Sequence, residues 1–351
     1  MKIVTVIGAR PQFIKASSLS REISNHKDID EVIIHTGQHF EENMSKVFFD
    51  QMEIPIPKYN LQINSLSHGA MTGQMLEEIE KVLLSEKPDW VIVYGDTNST
   101  LAGALAAKKL HIKVAHIEAG LRSFDDQMPE EVNRILTDNI SDILFCPTEH
   151  AIKNLTKEGF LNKNIKILNC GDIMYESALY YKNKTKQRPD LSSNFILATI
   201  HRQENTDNRQ KLIRIVESFN ELVRLGEQII LPIHPRTKKM IEKFDLKVDF
   251  TIIDPVGYLE MLELLDKCKI VITDSGGLQK EAYFFNKFCV TLRDTTEWIE
   301  LVENKVNVLL HIDDKLTENI STQLDKKVDY SSELYGEGNS SEIIIDNLKK
   351  G

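Results

Sequence analysis

The chain has 351 residues, a formal net charge of −10 and 27% charged side chains. This length predicts two domains, and the composition is typical of a globular protein. The acidic charge argues against a nucleic-acid partner and against an anionic membrane surface, but it allows a phosphorylated ligand to bind at a local cluster of basic groups.

Targeting and redox features point to the cytoplasm. The apolar run Ile3–Ile7 stops at Gly8-Ala9-Arg10-Pro11, too early for a signal peptide, and no apolar segment is long enough to cross a bilayer. The four cysteines have no C-x-x-C spacing, which predicts buried thiols rather than a zinc site or a disulfide framework. We therefore expect a cytoplasmic protein without membrane association.

The first half of the chain alternates strand and helix patterns. Apolar, β-branched runs predict strands at Lys2–Ile7, Glu31–Thr36, Asp89–Tyr94, Val114–Ile117 and Ile143–Cys146. The predicted helices start near Pro11, cover Glu42–Met52, Thr72–Ser85 and Leu101–Leu110, and start again at Pro129. Strands that alternate with helices in this way predict a parallel, doubly wound sheet.

The same alternation starts again after Gly171 and the polar stretch Lys182–Asn194. The predicted strands are Phe195–Thr199, Gln228–Ile233, Phe250–Ile253, Ile270–Thr273, Cys289–Leu292 and Val308–His311. We predict an α/β, GT-B-like fold of two doubly wound, Rossmann-like domains with a cleft between them. The domains span residues 1–172 and 173–351, and the last helix packs back on the first domain.

The stretch Val271–Ala282 reads as a buried strand that turns directly into a helix at Asp274-Ser275-Gly276-Gly277. The first amides of such a helix lack intrahelical partners and favour a bound phosphate. Glu281, about two turns into the helix, is placed to accept hydrogen bonds from ribose hydroxyls. A purely structural turn capped by Ser275 fits the same residues, and this pattern alone does not decide between the two.

Polar and charged residues follow most of the predicted strands. They are candidates for a site, because ligands of open α/β sheets bind outside the carboxyl ends of the strands. The set is Arg10, Gln38, His39, Asp96, Glu118, Arg122, His201, Arg202, His234, Arg236, Ser275, Gly276, Gly277, Arg293 and Glu297. The first half contributes carboxylates, including Glu130 and Glu131, and the second contributes histidine, arginine and helix amides. This division predicts a phosphorylated ligand held by the second domain and acid–base groups in the first.

Other sequence patterns give little support for further reactive sites. His35 and His39 have i, i+4 spacing but straddle a strand end, which disfavours a metal pair. His116 alternates with apolar residues in a strand and fits a hydrogen-bonded core histidine as well as a catalytic one. The sequence contains neither a G-x-S-x-G elbow nor a P-loop, so serine hydrolysis and P-loop chemistry have no support.

The strand-end motifs make the chain resemble the non-hydrolysing UDP-N-acetylglucosamine 2-epimerases. The matching segments, in collinear order, are Gly8–Pro11, Thr36–His39, Tyr94–Thr97, His116–Arg122, Pro129–Arg134, Thr199–Arg202 and Thr273–Ala282. The resemblance implies a homodimer of GT-B architecture that needs no metal or redox cofactor. It also implies inversion at C2 of a UDP-linked 2-acetamido sugar, of the UDP-GlcNAc to UDP-ManNAc type, for surface polysaccharide precursors.

The resemblance further implies that UDP leaves C1 as the C2 proton is removed, and that UDP adds back as C2 is reprotonated on the opposite face. The implied catalytic residues are Asp96, Glu118, Glu130 and His201. The implied substrate- and UDP-binding residues are Arg10, Lys15, Arg134, His201, Ser275, Gly276, Gly277 and Glu281. Which carboxylate is base and which is acid stays open, and Glu131 competes for the role of Glu130.

Two departures from the family pattern bear on the substrate. The first turn has Ala9 and Gln12 where the family commonly has Thr and Glu. The late Arg-Asp-x-Thr-Glu motif continues as Trp298-Ile299-Glu300 instead of Arg-Pro-Glu. This variant resembles members that act on UDP-2,3-diacetamido-2,3-dideoxy-glucuronate, so the same chemistry on that sugar is an alternative. A GT-B glycosyltransferase and a non-catalytic nucleotide-sugar binding protein are the alternative classes.

Overall fold

The computed structural model describes residues 1–38, 49, 51–182, 184 and 193–351, which form two units. Unit 1 comprises Met1–Ser177 and Leu334–Gly351, and unit 2 comprises Ala178–Glu333. His39 and most of the predicted helix Glu42–Met52 lie outside the described residues.

Unit 1 is built on a seven-stranded parallel sheet. Its strands are β1 (Lys2–Ile7), β2 (Asp30–His35), β3 (Tyr59–Asn60), β4 (Trp90–Tyr94), β5 (Lys113–Ile117), β6 (Ile143–Cys146) and β7 (Lys166–Asn169). Its helices are α1 (Arg10–Ser24), α2 (His68–Glu86), α3 (Asn98–Lys109), α4 (Pro129–Ile140), α5 (Glu149–Lys157) and α14 (Ser340–Lys350), and α6 (Ile173–Lys182) runs across the unit boundary. The strand order is β3-β2-β1-β4-β5-β6-β7.

Unit 2 repeats this organisation with a six-stranded parallel sheet. Its strands are β8 (Ile196–Thr199), β9 (Ile229–Pro232), β10 (Thr251–Ile253), β11 (Ile270–Thr273), β12 (Phe288–Thr291) and β13 (Asn307–Leu309). Its helices are α7 (Gln203–Thr206), α8 (Arg209–Arg224), α9 (Pro235–Lys243), α10 (Tyr258–Lys267), α11 (Gly276–Phe284), α12 (Ile299–Glu303) and α13 (Leu316–Ser321). The strand order is β10-β9-β8-β11-β12-β13.

Both sheets have the Rossmann strand order, which starts at the centre, runs to one edge and then returns to fill the other side. The order reverses between β1 and β4 in unit 1 and between β8 and β11 in unit 2. Ligands of such folds bind at this switch point. The predicted fold class, two Rossmann-like domains of GT-B-like type, is confirmed.

The central strands are almost completely buried because helices cover both faces of a parallel sheet. Helix α3 packs especially closely on the sheet of unit 1. A Cβ added at Gly103 would lie 3.1 Å from Cγ1 of Val93 and 3.2 Å from Val6, so glycine permits this close approach. The packing places the first turn of α3 beside the end of β4, where Asp96 lies.

The predicted strands match the observed ones to within two residues at each end, but β3 and β7 were not predicted. Both are short edge strands, and β7 is half-exposed and polar at both ends, so neither has the continuous apolar run of a central strand. Among the described residues, no helix has the length and apolar character needed to cross a membrane.

Candidate active site

Gln12 joins the two central turns of unit 1. Its side-chain oxygen accepts hydrogen bonds from the amides of Gly8 and Ala9, at 2.8 and 3.0 Å. Its Nε2 donates to the carbonyl oxygen of Tyr94 at 2.9 Å and to the hydroxyl of Thr100 at 3.0 Å. The side chain is buried, and both amide hydrogens and both oxygen lone pairs are used. The turns after β1 and β4 are therefore held at a fixed spacing.

Lys15 and Glu118 form a buried ion pair beside these turns. Nζ of Lys15 lies 2.7 Å from Oε1 of Glu118, and the two side chains are 6% and 11% exposed. Glu118 has a φ of 68°, a left-handed conformation that is uncommon for a non-glycine residue and clusters at functional sites. Gly95 has a φ of 62°, and a Cβ there would lie 3.2 Å from Nζ of Lys15. Glycine thus leaves room for the lysine beneath the turn.

Arg134 lies between two carboxylates. Its guanidinium donates hydrogen bonds of 2.5 Å to Oδ2 of Asp96 and to Oε2 of Glu131. Burial disfavours the charged form, but the two carboxylates outweigh it and raise the pKa of Arg134 above its ordinary value. The guanidinium therefore fixes the orientation of Asp96, whose side chain is still 30% exposed.

The neighbouring residues Glu130 and Glu131 have different surroundings. Glu131 is buried and accepts hydrogen bonds from the amides of Ser123 and Phe124 at 3.0 Å. Burial alone would raise its pKa, but these amides and the charge of Arg134 lower the pKa of Glu131 below its ordinary value. Glu130 is exposed and lines a cavity. The carboxylate of Glu131 closes a loop, and that of Glu130 is accessible to a ligand.

The cavity has a volume of about 210 Å³ and lies at the switch point of unit 1. Lys15, Asp96 and Glu130 line it directly. Glu118 and Arg134 are ion-paired with two of these lining residues, Lys15 and Asp96. Two carboxylates and one cation thus line one small space, and a third carboxylate and a second cation are paired with them. Such a set can remove and deliver protons at a carbon atom of a bound ligand.

Sequence analysis missed several residues of this cavity wall. They are His68, Asn98 and Asn133. Asn133 donates a hydrogen bond of 2.9 Å to the carbonyl oxygen of Asp96 and so helps to hold that turn. His68 and Asn133 lie on helices and do not directly follow a strand, so a search along strand ends could not find them.

Asp274 joins the two central turns of unit 2. Its buried carboxylate accepts hydrogen bonds from the amides of His201 (3.1 Å) and Arg202 (3.0 Å) and from the side chain of Asn205 (3.1 Å). Nδ1 of His201 lies 3.5 Å from Oδ1 of Asp274, and the His201 side chain is 40% exposed. The turn after β8, which contains His201, is thereby fixed on the turn after β11.

Helix α11 starts at the turn after β11 with Ser275 as its cap, because the hydroxyl oxygen accepts from the amide of Leu278 at 3.5 Å. A Cβ at Gly276 would collide with the carboxylate of Glu297, whereas a Cβ at Gly277 would have no neighbour within 4 Å. The first-turn amides and the open space beside Gly277 suit a phosphate group. Glu281 is buried on the same helix.

Most of the remaining strand-end candidates contact other groups of the protein. Arg122 is buried and ion-paired with Asp138 and Glu158, and Arg236 contacts Asp207. The side chain of His234 caps α9, and burial together with the charges of His201 and Arg236 lowers the pKa of His234. Arg293 pairs with Glu297 at 2.9 Å, Arg202 lies 4.0 Å from Glu204, and Arg10 is the half-buried first residue of α1.

Over the described ranges, no group of three or more metal-ligating side chains is present.

Comparisons with known proteins agree with this architecture. A family model described as UDP-N-acetylglucosamine 2-epimerase matches residues 21–349. A Pseudomonas aeruginosa protein named UDP-2,3-diacetamido-2,3-dideoxy-D-glucuronate 2-epimerase is 56% identical over 100% of both chains. The crystal structure of Methanocaldococcus jannaschii UDP-GlcNAc 2-epimerase with UDP-GlcNAc and UDP has a TM-score of 0.90 at 45% identity, with 100% of both chains covered. A Neisseria meningitidis UDP-GlcNAc 2-epimerase bound to UDP-GlcNAc has a TM-score of 0.88 at 29% identity, again with full coverage of both chains.

Two Rossmann-like units, with carboxylates and basic groups at one switch point and the start of a helix at the other, form a GT-B-like fold. The chain belongs to the UDP-N-acetylglucosamine 2-epimerase family. It is therefore an isomerase of UDP-linked sugars, as the resemblance predicted.

Glu130→Gln and Glu131→Gln should separate chemistry from loop structure. Glu130→Gln should lower kcat by about 100-fold, the scale of one acid–base group, without changing the unfolding free energy. Glu131→Gln should lower the unfolding free energy at pH 7 by about 2 kcal/mol, because it weakens a buried, charge-assisted set of hydrogen bonds. Steady-state kinetics and chemical denaturation measure the two effects.

The lowered pKa of Glu131 predicts how the loss of stability in Glu131→Gln changes with pH. Because the folded-state pKa of Glu131 is lowered, its stabilising contribution is fully present above the unfolded value of about 4.3 and is lost as the pH falls through the lowered pKa. The stability difference between wild type and Glu131→Gln should therefore shrink in acid. Wild-type kcat in Glu130→Gln, or a stability difference that grows in acid, would contradict the assignment.

Proposed function

We propose that the protein inverts C2 of UDP-2,3-diacetamido-2,3-dideoxy-glucuronate by elimination and re-addition of UDP. The observation that carries this choice is the 56% identity, over the whole of both chains, to a relative of that name. The segment Trp298-Ile299-Glu300, which replaces the commoner Arg-Pro-Glu, supports the same substrate. A role in supplying surface polysaccharide precursors stays a prediction from the resemblance.

The acid–base chemistry belongs to unit 1 in this proposal. A base removes the C2 proton, the C1–C2 double bond forms, and the bond from C1 to the UDP oxygen breaks. In the reverse addition, UDP bonds again to C1 while an acid protonates C2 on the other face. Lys15 pairs with Glu118 and Arg134 pairs with Asp96, which orients the two carboxylates, and Glu130 is the third candidate acid–base group.

Unit 2 holds UDP in this proposal. The amides of the Ser275-Gly276-Gly277 turn at the start of α11 are suited to the diphosphate. His201 lies on the adjoining turn, which Asp274 holds by a hydrogen bond from the His201 amide. Glu281 is proposed to bond the ribose, and Arg10 of unit 1 to contribute positive charge to the nucleotide. Retention of UDP matters because the intermediate must recapture it to complete the inversion.

UDP-GlcNAc is the second candidate substrate. Relatives named UDP-N-acetylglucosamine 2-epimerase, from Methanocaldococcus jannaschii and Methanococcus maripaludis, are 45% identical over nearly all of this chain. The two sugars undergo the same reaction at C2, so the cavity carboxylates serve either one. They differ at C3, next to the reacting C2, where the uronate has a second acetamido group, and at C6, where it has a carboxylate.

Incubation of both UDP-sugars with the protein in deuterated water should identify the substrate. We expect deuterium at C2 of both epimers, and a kcat/KM for the diacetamido uronate at least tenfold above that for UDP-GlcNAc, which corresponds to about 1.4 kcal/mol. NMR of the recovered sugars measures both quantities.

Each alternative has its own result in this experiment. Preference for UDP-GlcNAc overturns the substrate choice, and turnover without deuterium at C2 overturns the elimination mechanism. Net UDP release with a new glycoside would indicate a glycosyltransferase, and binding without turnover would indicate a binding protein. Asp96→Asn, Glu118→Gln and Glu130→Gln serve as controls that should bind UDP but exchange deuterium about 100-fold more slowly than the wild type.

Gly277→Ala tests the phosphate turn. The added methyl group has no neighbour within 4 Å in the protein, so it should leave stability unchanged and reduce UDP affinity by roughly tenfold only because the diphosphate approaches the backbone there. Gly73→Ala on α2 is the matched control, because its Cβ is equally unobstructed. Calorimetric titration with UDP measures both variants. Wild-type affinity in Gly277→Ala would place the diphosphate elsewhere.

We also propose that the protein is a cytoplasmic homodimer, as the resemblance implied. The apolar side chains of Val132 and Leu136 lie one turn apart on α4 and are 45% and 46% exposed, which supports burial against a second copy. The four free, buried cysteines support a reducing compartment. Sedimentation should give twice the 40.2 kDa of one chain, and Val132→Lys with Leu136→Lys should give a monomer. A monomeric wild type would refute the dimer.

A further inference from the structure

His116 lies in β5 with no exposed surface, and both of its ring nitrogens face hydrogen-bond acceptors. Nε2 is 2.7 Å from the carbonyl oxygen of Gly95, and Nδ1 is 2.7 Å from Oδ1 of Asp138. A neutral imidazole has one N–H group and can donate to only one of these acceptors. The geometry therefore requires a second proton, either on the ring or on the carboxyl group.

The surroundings of Asp138 place that proton on the ring. Oδ2 of Asp138 accepts a hydrogen bond of 2.7 Å from Arg122 and one of 3.2 Å from the amide of Gly120. Hydrogen bonds and a guanidinium charge of this kind favour the ionised carboxylate. Arg122 also donates to both oxygens of Glu158, at 2.7 and 2.8 Å. The four groups then alternate in sign and sum to zero, which offsets the cost of burying the charges of His116, Asp138 and Arg122.

The same bonds reach the two turns that hold the candidate acid–base residues. Gly95 directly precedes Asp96, and the Nε2 hydrogen bond holds the Gly95 carbonyl group in place. Gly120 lies two residues after Glu118, and Asp138 holds its amide. A Cβ at Gly120 would lie 2.7 Å from the carbonyl oxygen of Ala151, so that turn has little room to relax in another direction.

We propose that His116 is a positioning residue: an imidazolium held by Asp138 that fixes the turns of Asp96 and Glu118 for proton transfer. The inference rests on the proposed roles of Asp96 and Glu118. His116 itself is buried in the sheet and has no surface exposed to a ligand. Its effect is on the position of the carboxylates, and a displacement of about 1 Å at such groups can cost about 100-fold in rate.

Nitrogen-15 NMR of the histidine rings in the wild-type protein tests the protonation state without any substrate. We expect both His116 nitrogens to be protonated at pH 7, with the signals assigned by their absence from His116→Asn. In Asp138→Asn we expect a neutral ring, because the amide can donate to Nδ1 while Nε2–H still bonds to Gly95. An unprotonated ring nitrogen in the wild type would overturn the imidazolium.

Kinetics of the same variants test the positioning role. His116→Asn loses the donor to Gly95, so kcat should fall by about 100-fold while KM changes little. Asp138→Asn keeps that donor and should retain most of kcat. Full kcat in folded His116→Asn, or an equal loss in Asp138→Asn, would overturn the role of the Gly95 bond.

Two further variants separate this inference from other causes. His35→Asn alters another buried histidine of the sheet, which contacts Asn60 at 3.3 Å, and should cost stability without the drop in kcat. If kcat falls as much in His35→Asn as in His116→Asn, the loss of activity comes from general destabilisation and the positioning role is overturned. If Asp96→Asn and Glu118→Gln are fully active, the proposed acid–base roles fail, whereas the NMR result still stands on its own.

Discussion

Backbone groups at the centre of a doubly wound sheet diverge where the strand order reverses, and they need partners that the sheet does not supply. Gln12 bonds these groups in unit 1 and Asp274 bonds them in unit 2. Each side chain spans the turns of two adjacent strands, and each is buried. Gln12 thus holds the backbone close to Asp96, and Asp274 holds the backbone of His201.

The choice of side chain at each bridge follows from the groups it must satisfy. In unit 1 the bridge must bond amides on one turn and a carbonyl oxygen on the other, so an amide side chain with both donors and acceptors fits. In unit 2 the groups are three N–H donors, so a carboxylate fits. A glutamate at this position would need an additional proton to donate to the carbonyl oxygen of Tyr94, whereas Gln12 completes its set of bonds without one.

The strands and the edge with the candidate residues could be predicted because buried parallel strands are continuous apolar runs and their carboxyl ends converge. The roles of Glu130 and Glu131 could not be separated in this way. The difference depends on where the backbone of Ser123 and Phe124 passes, and no local pattern encodes that path. The joining roles of Gln12 and Asp274 were likewise missed, because each depends on strands far apart in sequence.

Unit 1 is discontinuous, since the segment Leu334–Gly351, which contains α14, completes it. Ile344, Ile345 and Leu348 of this helix are buried, and Lys349 pairs with Asp28 near the end of α1 at 3.1 Å. On the ribosome, residues 178–333 must be made before this helix exists, which takes about 8–30 s at ordinary elongation rates. Throughout that interval the face of α1 that α14 packs against is uncovered, so nascent chains expose this surface to chaperones and to aggregation until residues 334–351 have been made.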